Sequence, residues 1–339
     1  MARAPRIQEL AAGNVEIHVV ESRVLAGNTA GDPAVREFPL YVPHQASKAA
    51  PLPVVFLLSG FTGNGLDYLE SHAWRRGVVR EYDEALRAEK VPAAILALPD
   101  AFTKYGGSQY VDSGYLGPYA RYVALELTAF AEQHAPARPD RRGVVGKSSG
   151  GFGALHLSMR HPGVFLAAAS ISGDAGFEGC HAPAFWEFAR ALVPYGGDAR
   201  RFLADFMLTH DLSGDRFGAM NTIAMAACFS PNPASPIGCD LPVDASTGVR
   251  DEDVWRRWLE FDPIVACVTY ATALRALKFL HIECGLRDEY NIQFGTRRLA
   301  AKLRELGIAH THEEHPGSHR GIQNRYLEVL PRLIGALAT

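Results

Sequence analysis

Residues 142–161 constrain the fold more than any other stretch of the chain. Val144-Val145 ends a β-like run, Gly146-Lys147-Ser148-Ser149-Gly150 breaks it, and Gly151-Phe152-Gly153-Ala154-Leu155 opens a helical one. A strand that turns sharply into a helix needs glycine on both sides of its apex, because the apex residue takes a strained backbone angle with little room around it. The G-x-S-x-G frame puts Ser148 at that apex. Ser149 does not fit, since Lys147 stands where its leading glycine would be. Such a turn lifts the serine oxygen clear of the sheet and aims the next amide, that of Ser149, at an oxygen gaining negative charge. Ser148 is therefore the candidate nucleophile; the competing reading is a glycine-rich helix entry with incidental serines.

The segments around this turn alternate between two kinds. Residues 15–20 and 36–42 read as an antiparallel pair at a sheet edge. Residues 53–58 and 93–98 are continuous apolar runs of the kind buried on both faces of a sheet. Helical stretches are expected over 67–89, 119–134, 151–161, 291–306 and 321–337, and further strands over 142–147, 165–172, 277–284 and 308–314. The alternation predicts an α/β protein with a mostly parallel central sheet and helices on both faces.

The rhythm stops over 176–262, which carries Phe177, Phe185, Trp186, Phe188, Tyr195, Phe202, Phe206, Phe217, Phe229, Trp255, Trp258 and Phe261. The division expected is a core of 1–175 with 263–339, and an insertion, 176–262, that caps or walls the site. Any single aromatic there is expected in the insertion's own core, while two or three of the group should line the pocket. That would suit a medium-sized, partly apolar or aryl acyl group.

Composition excludes more than it assigns. Hydrophobic residues at 47% and charged ones at 21% over 339 positions suit a chain with a large core. A formal charge of −3 gives no general attraction for nucleic acid or anionic membrane. No apolar run reaches the roughly 18–20 residues that span a bilayer. The first ten residues lack the apolar core of a secretory signal, so a cytoplasmic location is expected. Cys180, Cys228, Cys239, Cys267 and Cys284 contain no C-x-x-C pair. Free thiols are expected, with one disulfide within 180–239 as the alternative and Cys284 as a buried structural thiol.

A serine hydroxyl needs a base, and the base an orienting carboxylate. Strand 277–284 runs into Gly285-Leu286-Arg287-Asp288-Glu289, and strand 308–314 into His315-Pro316-Gly317-Ser318-His319. Both loops lie past the carboxyl ends of their strands, where open α/β sheets gather ligands. Asp288 is the expected acid, with Glu289 as rival and an N-capping role as the structural alternative. His319 is the expected base, because the glycine turn lets it reach over the serine; His315 is expected to be structural. The spacing of His310, His312, His315 and His319 matches no common zinc signature, so no metal is expected. Gly151-Phe152-Gly153 lacks the third glycine of a dinucleotide loop, and no phosphate-binding loop motif occurs, so no nucleotide cofactor is expected either. A second oxyanion donor would come from Ser59-Gly60-Phe61-Thr62-Gly63, with the Phe61 N–H as candidate.

These pieces together resemble one branch of the α/β-hydrolase fold. It includes esterase D (S-formylglutathione hydrolase), feruloyl and acetylxylan esterases, enterochelin esterases and the mycolyltransferases. The resemblance rests on Gly27-Asn28-Thr29-Ala30-Gly31-Asp32-Pro33, Leu57-Leu58-Ser59-Gly60-Phe61-Thr62, Gly107-Ser108-Gln109-Tyr110-Val111-Asp112-Ser113, the 146–155 stretch and Gly317-Ser318-His319. It implies a Ser148–His319–Asp288 triad, with the Phe61 and Ser149 amides as the oxyanion hole. The expectation is a cofactor-independent serine carboxylesterase that works on a small-molecule ester through an acyl-enzyme. A homodimer is compatible with this. An acyltransferase is the alternative within the fold, and a non-catalytic binding protein the alternative outside enzymes.

Overall fold

The computed structural model describes residues 4–71, 73 and 76–338. Among them nine strands form the main sheet: β1 Arg6–Glu9, β2 Gly13–Glu21, β3 Val35–Pro43, β4 Leu52–Leu58, β5 Ile95–Ala97, β6 Ala137–Lys147, β7 Ala167–Ile171, β8 Phe279–Gly285 and β9 Thr311–His315. They lie side by side in the order β1-β2-β3-β5-β4-β6-β7-β8-β9. All pairings from β5 across to β9 are parallel, and the three involving β1, β2 and β3 are antiparallel. This is the α/β-hydrolase arrangement, with β6 near the middle delivering Ser148.

Alternation along the central strands explains the two cores. Val54, Phe56, Leu58 and Val144 face one layer, where they meet Phe152 and Leu155 of helix Ser149–Arg160 and Leu299 and Leu303 of helix Ile292–Glu305. Val55, Leu57 and Val145 face the other, against Val78, Val79 and Tyr82 of helix Val78–Arg87 and Leu330, Leu333 and Leu337 of helix Arg325–Ala338. Successive side chains of a strand point to opposite faces, so a run covered on both sides must be apolar throughout.

Three expectations need correction. The 15–20 and 36–42 pair forms as predicted, Val15 opposite Tyr41 and Val20 opposite Arg36, but the sheet edge belongs to β1. All four β1 residues are exposed, so no apolar pattern marks it and backbone pairing alone makes it a strand. The stretch 67–89 divides into a 3₁₀ turn at Gly65–Tyr68 and a helix at Val78–Arg87; residues 72, 74 and 75 lie outside the described residues. The stretch 119–134 passes through a π-helical segment, Tyr122–Leu127, before the α-helix Thr128–His134. Over six residues an apolar stripe does not separate the α period from the wider π period.

Between β7 and β8 lie helices Ala184–Leu192, Ala199–Thr209, Arg216–Phe229 and Glu252–Leu259. Asp262 clasps the two ends of this stretch, its carboxylate accepting the amides of Gly176 at 3.0 Å and Phe177 at 2.8 Å. The aromatics pack mainly with one another and with the core. Phe185 meets Trp255 and Trp258 edge-on, and Phe229 bridges Trp258 to Phe152. All five cysteines are unpaired. Among the described residues no helix is long and apolar enough to cross a membrane.

The final helix is tied to the sheet by charge. Arg325, its first residue, donates to both oxygens of Glu283 at 2.8 and 2.7 Å, and His281 Nε2 lies 2.9 Å from the same carboxylate. Burial would raise the Glu283 carboxyl, but Arg325 and His281 outweigh it and hold the group at about 2. A carboxyl depressed in the folded state stabilises above its unfolded pKa and loses that contribution as the pH falls toward the folded value. The loss is expected between about pH 4.5 and 2 and is on the order of 3 kcal/mol. Denaturant unfolding across that window checks it: Glu283→Gln, less stable at pH 7, should show a shallower fall in stability with acid than the native chain.

Candidate active site

The turn at Ser148 takes the predicted shape. Ser148 has φ 59° and ψ −129°, a conformation that side chains rarely adopt, at the junction of β6 and helix Ser149–Arg160. Strain of this kind costs on the order of 1–3 kcal/mol and persists only where the surroundings over-determine it. Here they do, through close backbone approach. A β-carbon on Gly150 would sit 1.9 Å from the Leu58 carbonyl oxygen, and one on Gly146 would sit 2.4 Å from Gly150 itself. Neither obstacle is a flexible side chain that could move aside. Gly150→Ala is therefore expected to destabilise the fold by about 3 kcal/mol or more and to abolish activity, as overpacking against backbone does; urea unfolding of the purified variant measures it.

Three loops converge on this serine. His319 Nε2 lies 3.0 Å from Ser148 Oγ, and His319 Nδ1 lies 2.8 Å from Asp288 Oδ2. An ionised carboxylate can only accept, so Nδ1 carries the proton and Nε2 is left to accept the Ser148 hydroxyl. Asp288 is fully buried, yet the His319 hydrogen bond and charge outweigh burial and hold its carboxyl below the ordinary aspartate value. Its other oxygen accepts the Tyr290 amide at 3.0 Å, while the Cys284 thiol lies 3.5 Å from Oδ2. Burial and the neighbouring Asp288 push that thiol far above its usual range, so it stays protonated.

Glu289, the rival acid, holds the loop instead of the ring, its carboxylate accepting the backbone N–H of His319 at 2.9 Å. The N-cap position of the following helix belongs to Asn291, not Asp288. His315 Nδ1 accepts the Gly317 amide at 3.2 Å and shapes the loop that carries His319. His281, Glu283 and Glu313 bring potential metal-ligand atoms within 4.8 Å of one another, but the Glu283 charge is already met by Arg325.

The loop after β4 lies against the serine, since a β-carbon on Gly60 would stand 3.5 Å from Ser148 Cβ. Tyr110 anchors this loop by donating to the Ser59 carbonyl at 2.8 Å. Neither the Phe61 nor the Ser149 amide has an acceptor among the described residues. Both remain available to a ligand oxygen. The Phe61 ring meets Phe217 of the 176–262 stretch, centroids 6.1 Å apart.

These groups open into a cleft of about 600 Å³. Of the twelve aromatics singled out in 176–262, Phe217 alone lines it among the described residues, which corrects the expectation of two or three. Those rings had a stronger claim on them from one another. The remaining lining from that stretch is Cys180, His181 and Asn221.

Three residues near the serine carry no expectation from the sequence. Gln109, fully buried with φ 52°, places Nε2 2.9 Å from Ser149 Oγ and 3.4 Å from Asp174 Oδ2. Burial pushes the Asp174 carboxyl up to about 6, against the pull of His319 and Gln109. Burial pushes His181 down to about 3, so its ring is neutral. A signal for Asp174 was available: it follows the carboxyl end of β7, the same placement that marks Asp288 and His319.

The family model described as "Putative esterase" matches residues 34–320. The chain belongs to this esterase family. The esterase is thus a carboxylic ester hydrolase, and its fold recurs in solved structures. An S-formylglutathione hydrolase from Agrobacterium tumefaciens is 17% identical with a TM-score of 0.60, covering 98% of each chain. A fluorophosphonate-binding serine hydrolase from Staphylococcus aureus is 16% identical with a TM-score of 0.57, covering 97% of the esterase and 100% of its own chain. A ferulic acid esterase from Anaeromyces mucronatus is 14% identical with a TM-score of 0.54, covering 98% of the esterase and 94% of its own chain.

Proposed function

We propose that the esterase hydrolyses a small-molecule carboxylic ester through an acyl-enzyme on Ser148. The observation that carries this reading is the unbroken hydrogen-bond chain from Ser148 Oγ through His319 to buried Asp288. In the first half-reaction Ser148 Oγ attacks the ester carbonyl as His319 Nε2 takes the hydroxyl proton. Negative charge gathers on the carbonyl oxygen, where the Phe61 and Ser149 amides stabilise it; a donor of this kind contributes about 3–4 kcal/mol. Collapse expels the alcohol, which leaves with the proton from His319, and the acyl group stays on Ser148. Water then attacks, giving its proton to His319, and the acid departs as Ser148 recovers its hydrogen. Asp288 keeps its charge throughout, orienting the ring and stabilising the imidazolium.

A fluorophosphonate probe tests the assignment directly. Mass mapping of the labelled native protein is expected to place one adduct on the peptide containing Ser148. Labelling undiminished in Ser148→Ala would overturn it.

A further inference from the structure

We propose that Asp174 and His181 form a subsite that takes a hydroxyl group carried by the ester, a specificity that rests on the cleft being the ester site argued above. Both side chains line the cleft and both are nine-tenths or more buried. His181 Nε2 and Asp174 Oδ2 are 3.8 Å apart, too far to bond to each other. One oxygen seated between them would lie within hydrogen-bond reach of both. Neither His181 ring nitrogen has a hydrogen-bond partner among the described residues. A buried polar atom left in that state costs free energy, and a partner arriving in the cleft recovers it.

The chemistry of the pair selects the partner. The Asp174 carboxylate accepts; the neutral His181 ring offers one N–H and one lone pair. A hydroxyl, which donates once and accepts, satisfies both together. A carboxylate or phosphate would be repelled by Asp174. An apolar group would dehydrate both residues without replacing their hydrogen bonds. The subsite is held rigidly and close to the reacting atoms. Gln109 joins Asp174 to the Ser149 hydroxyl, and His181 is packed edge-on to Phe177, centroids 4.5 Å apart, and to Trp258.

The hydroxyl could sit on the acyl or the alcohol part of the ester, and matched pairs separate these. The acyl arm compares p-nitrophenyl 3-hydroxybutyrate with p-nitrophenyl butyrate; the alcohol arm compares glyceryl monobutyrate with propyl butyrate. In one arm kcat/KM is expected to favour the hydroxylated member by about tenfold or more, the range a hydrogen bond to a charged group supports. That ratio should fall at least about fivefold in Asp174→Ala and in His181→Phe, which keeps the ring packing. Because the readout is a ratio, a general loss of rate does not mimic it. Saturation-transfer NMR of the same esters with Ser148→Ala reads binding without turnover. Preference in that binding without hydrolysis by the native protein would uphold the subsite and sink the Ser148 reading. Hydrolysis with a ratio near one in both arms, or with ratios unchanged in both variants, overturns the subsite and leaves Ser148 in place.

Discussion

Ser148→Ala is expected to lower kcat for p-nitrophenyl butyrate by about 10⁴–10⁶-fold, with KM moving far less. The size follows from what the substitution removes. Alanine fits the volume and the backbone at this position, so the elbow, the cleft and the two amides of Phe61 and Ser149 stay in place. What disappears is the oxygen that His319 Nε2 reaches at 3.0 Å. The covalent route goes with it, and the residual rate comes from positioning and from the amides acting on an attacking water. Steady-state kinetics at enzyme concentrations high enough to read the residual rate measure this. A fall of less than about a hundredfold would be incompatible with Ser148 as nucleophile, since it would leave most of the catalysis intact.

Asp288→Asn should lower kcat by about 10⁴-fold while the protein keeps its fold. The carboxylate accepts the Nδ1 proton of His319 at 2.8 Å. An asparagine that turned its NH₂ toward the ring would favour the other tautomer, with the proton on Nε2. That nitrogen would then face the serine as a donor, unable to take its proton. Glu289→Gln supplies the contrast. Its amide oxygen can still accept the His319 backbone N–H that Glu289 now holds at 2.9 Å, so a loss under about tenfold is expected. Comparing kcat for the two variants decides which neighbouring carboxylate orients the base; equal losses would overturn the assignment to Asp288.

Much of this site could be read from linear order. The glycines around Ser148 are required by contacts of 1.9 and 2.4 Å that any β-carbon would make, and glycine at fixed offsets is a signature visible in the chain. Asp288 stands out because it follows the end of an apolar run, and His319 because a glycine turn carries it just past a strand end. The choice between Asp288 and Glu289 is different. Adjacent residues of one type in one loop are equivalent in sequence, and they separate only when the backbone turns one carboxylate under the imidazole and the other toward an amide.

The aromatics of 176–262 show where linear order stops informing. Their number suggests a lined pocket, but composition does not say which partner a ring will find. Phe185, Phe229, Trp255 and Trp258 meet each other and the core, and Phe217 alone turns to the cleft among the described residues. The Asp174–His181 pair is legible only in part: Asp174 follows a strand end, but nothing in the chain joins it to His181. The pair becomes unusual only when folding buries both residues side by side and leaves the His181 ring nitrogens without partners among the described residues.

The order of strands, turns and chemistry-bearing loops is thus written along the chain, because periodicity, glycine placement and strand-end position are local properties. Which carboxylate faces the histidine, which ring faces the cleft and which buried polar atoms lack partners are settled only by packing, because those depend on distances between residues far apart in sequence.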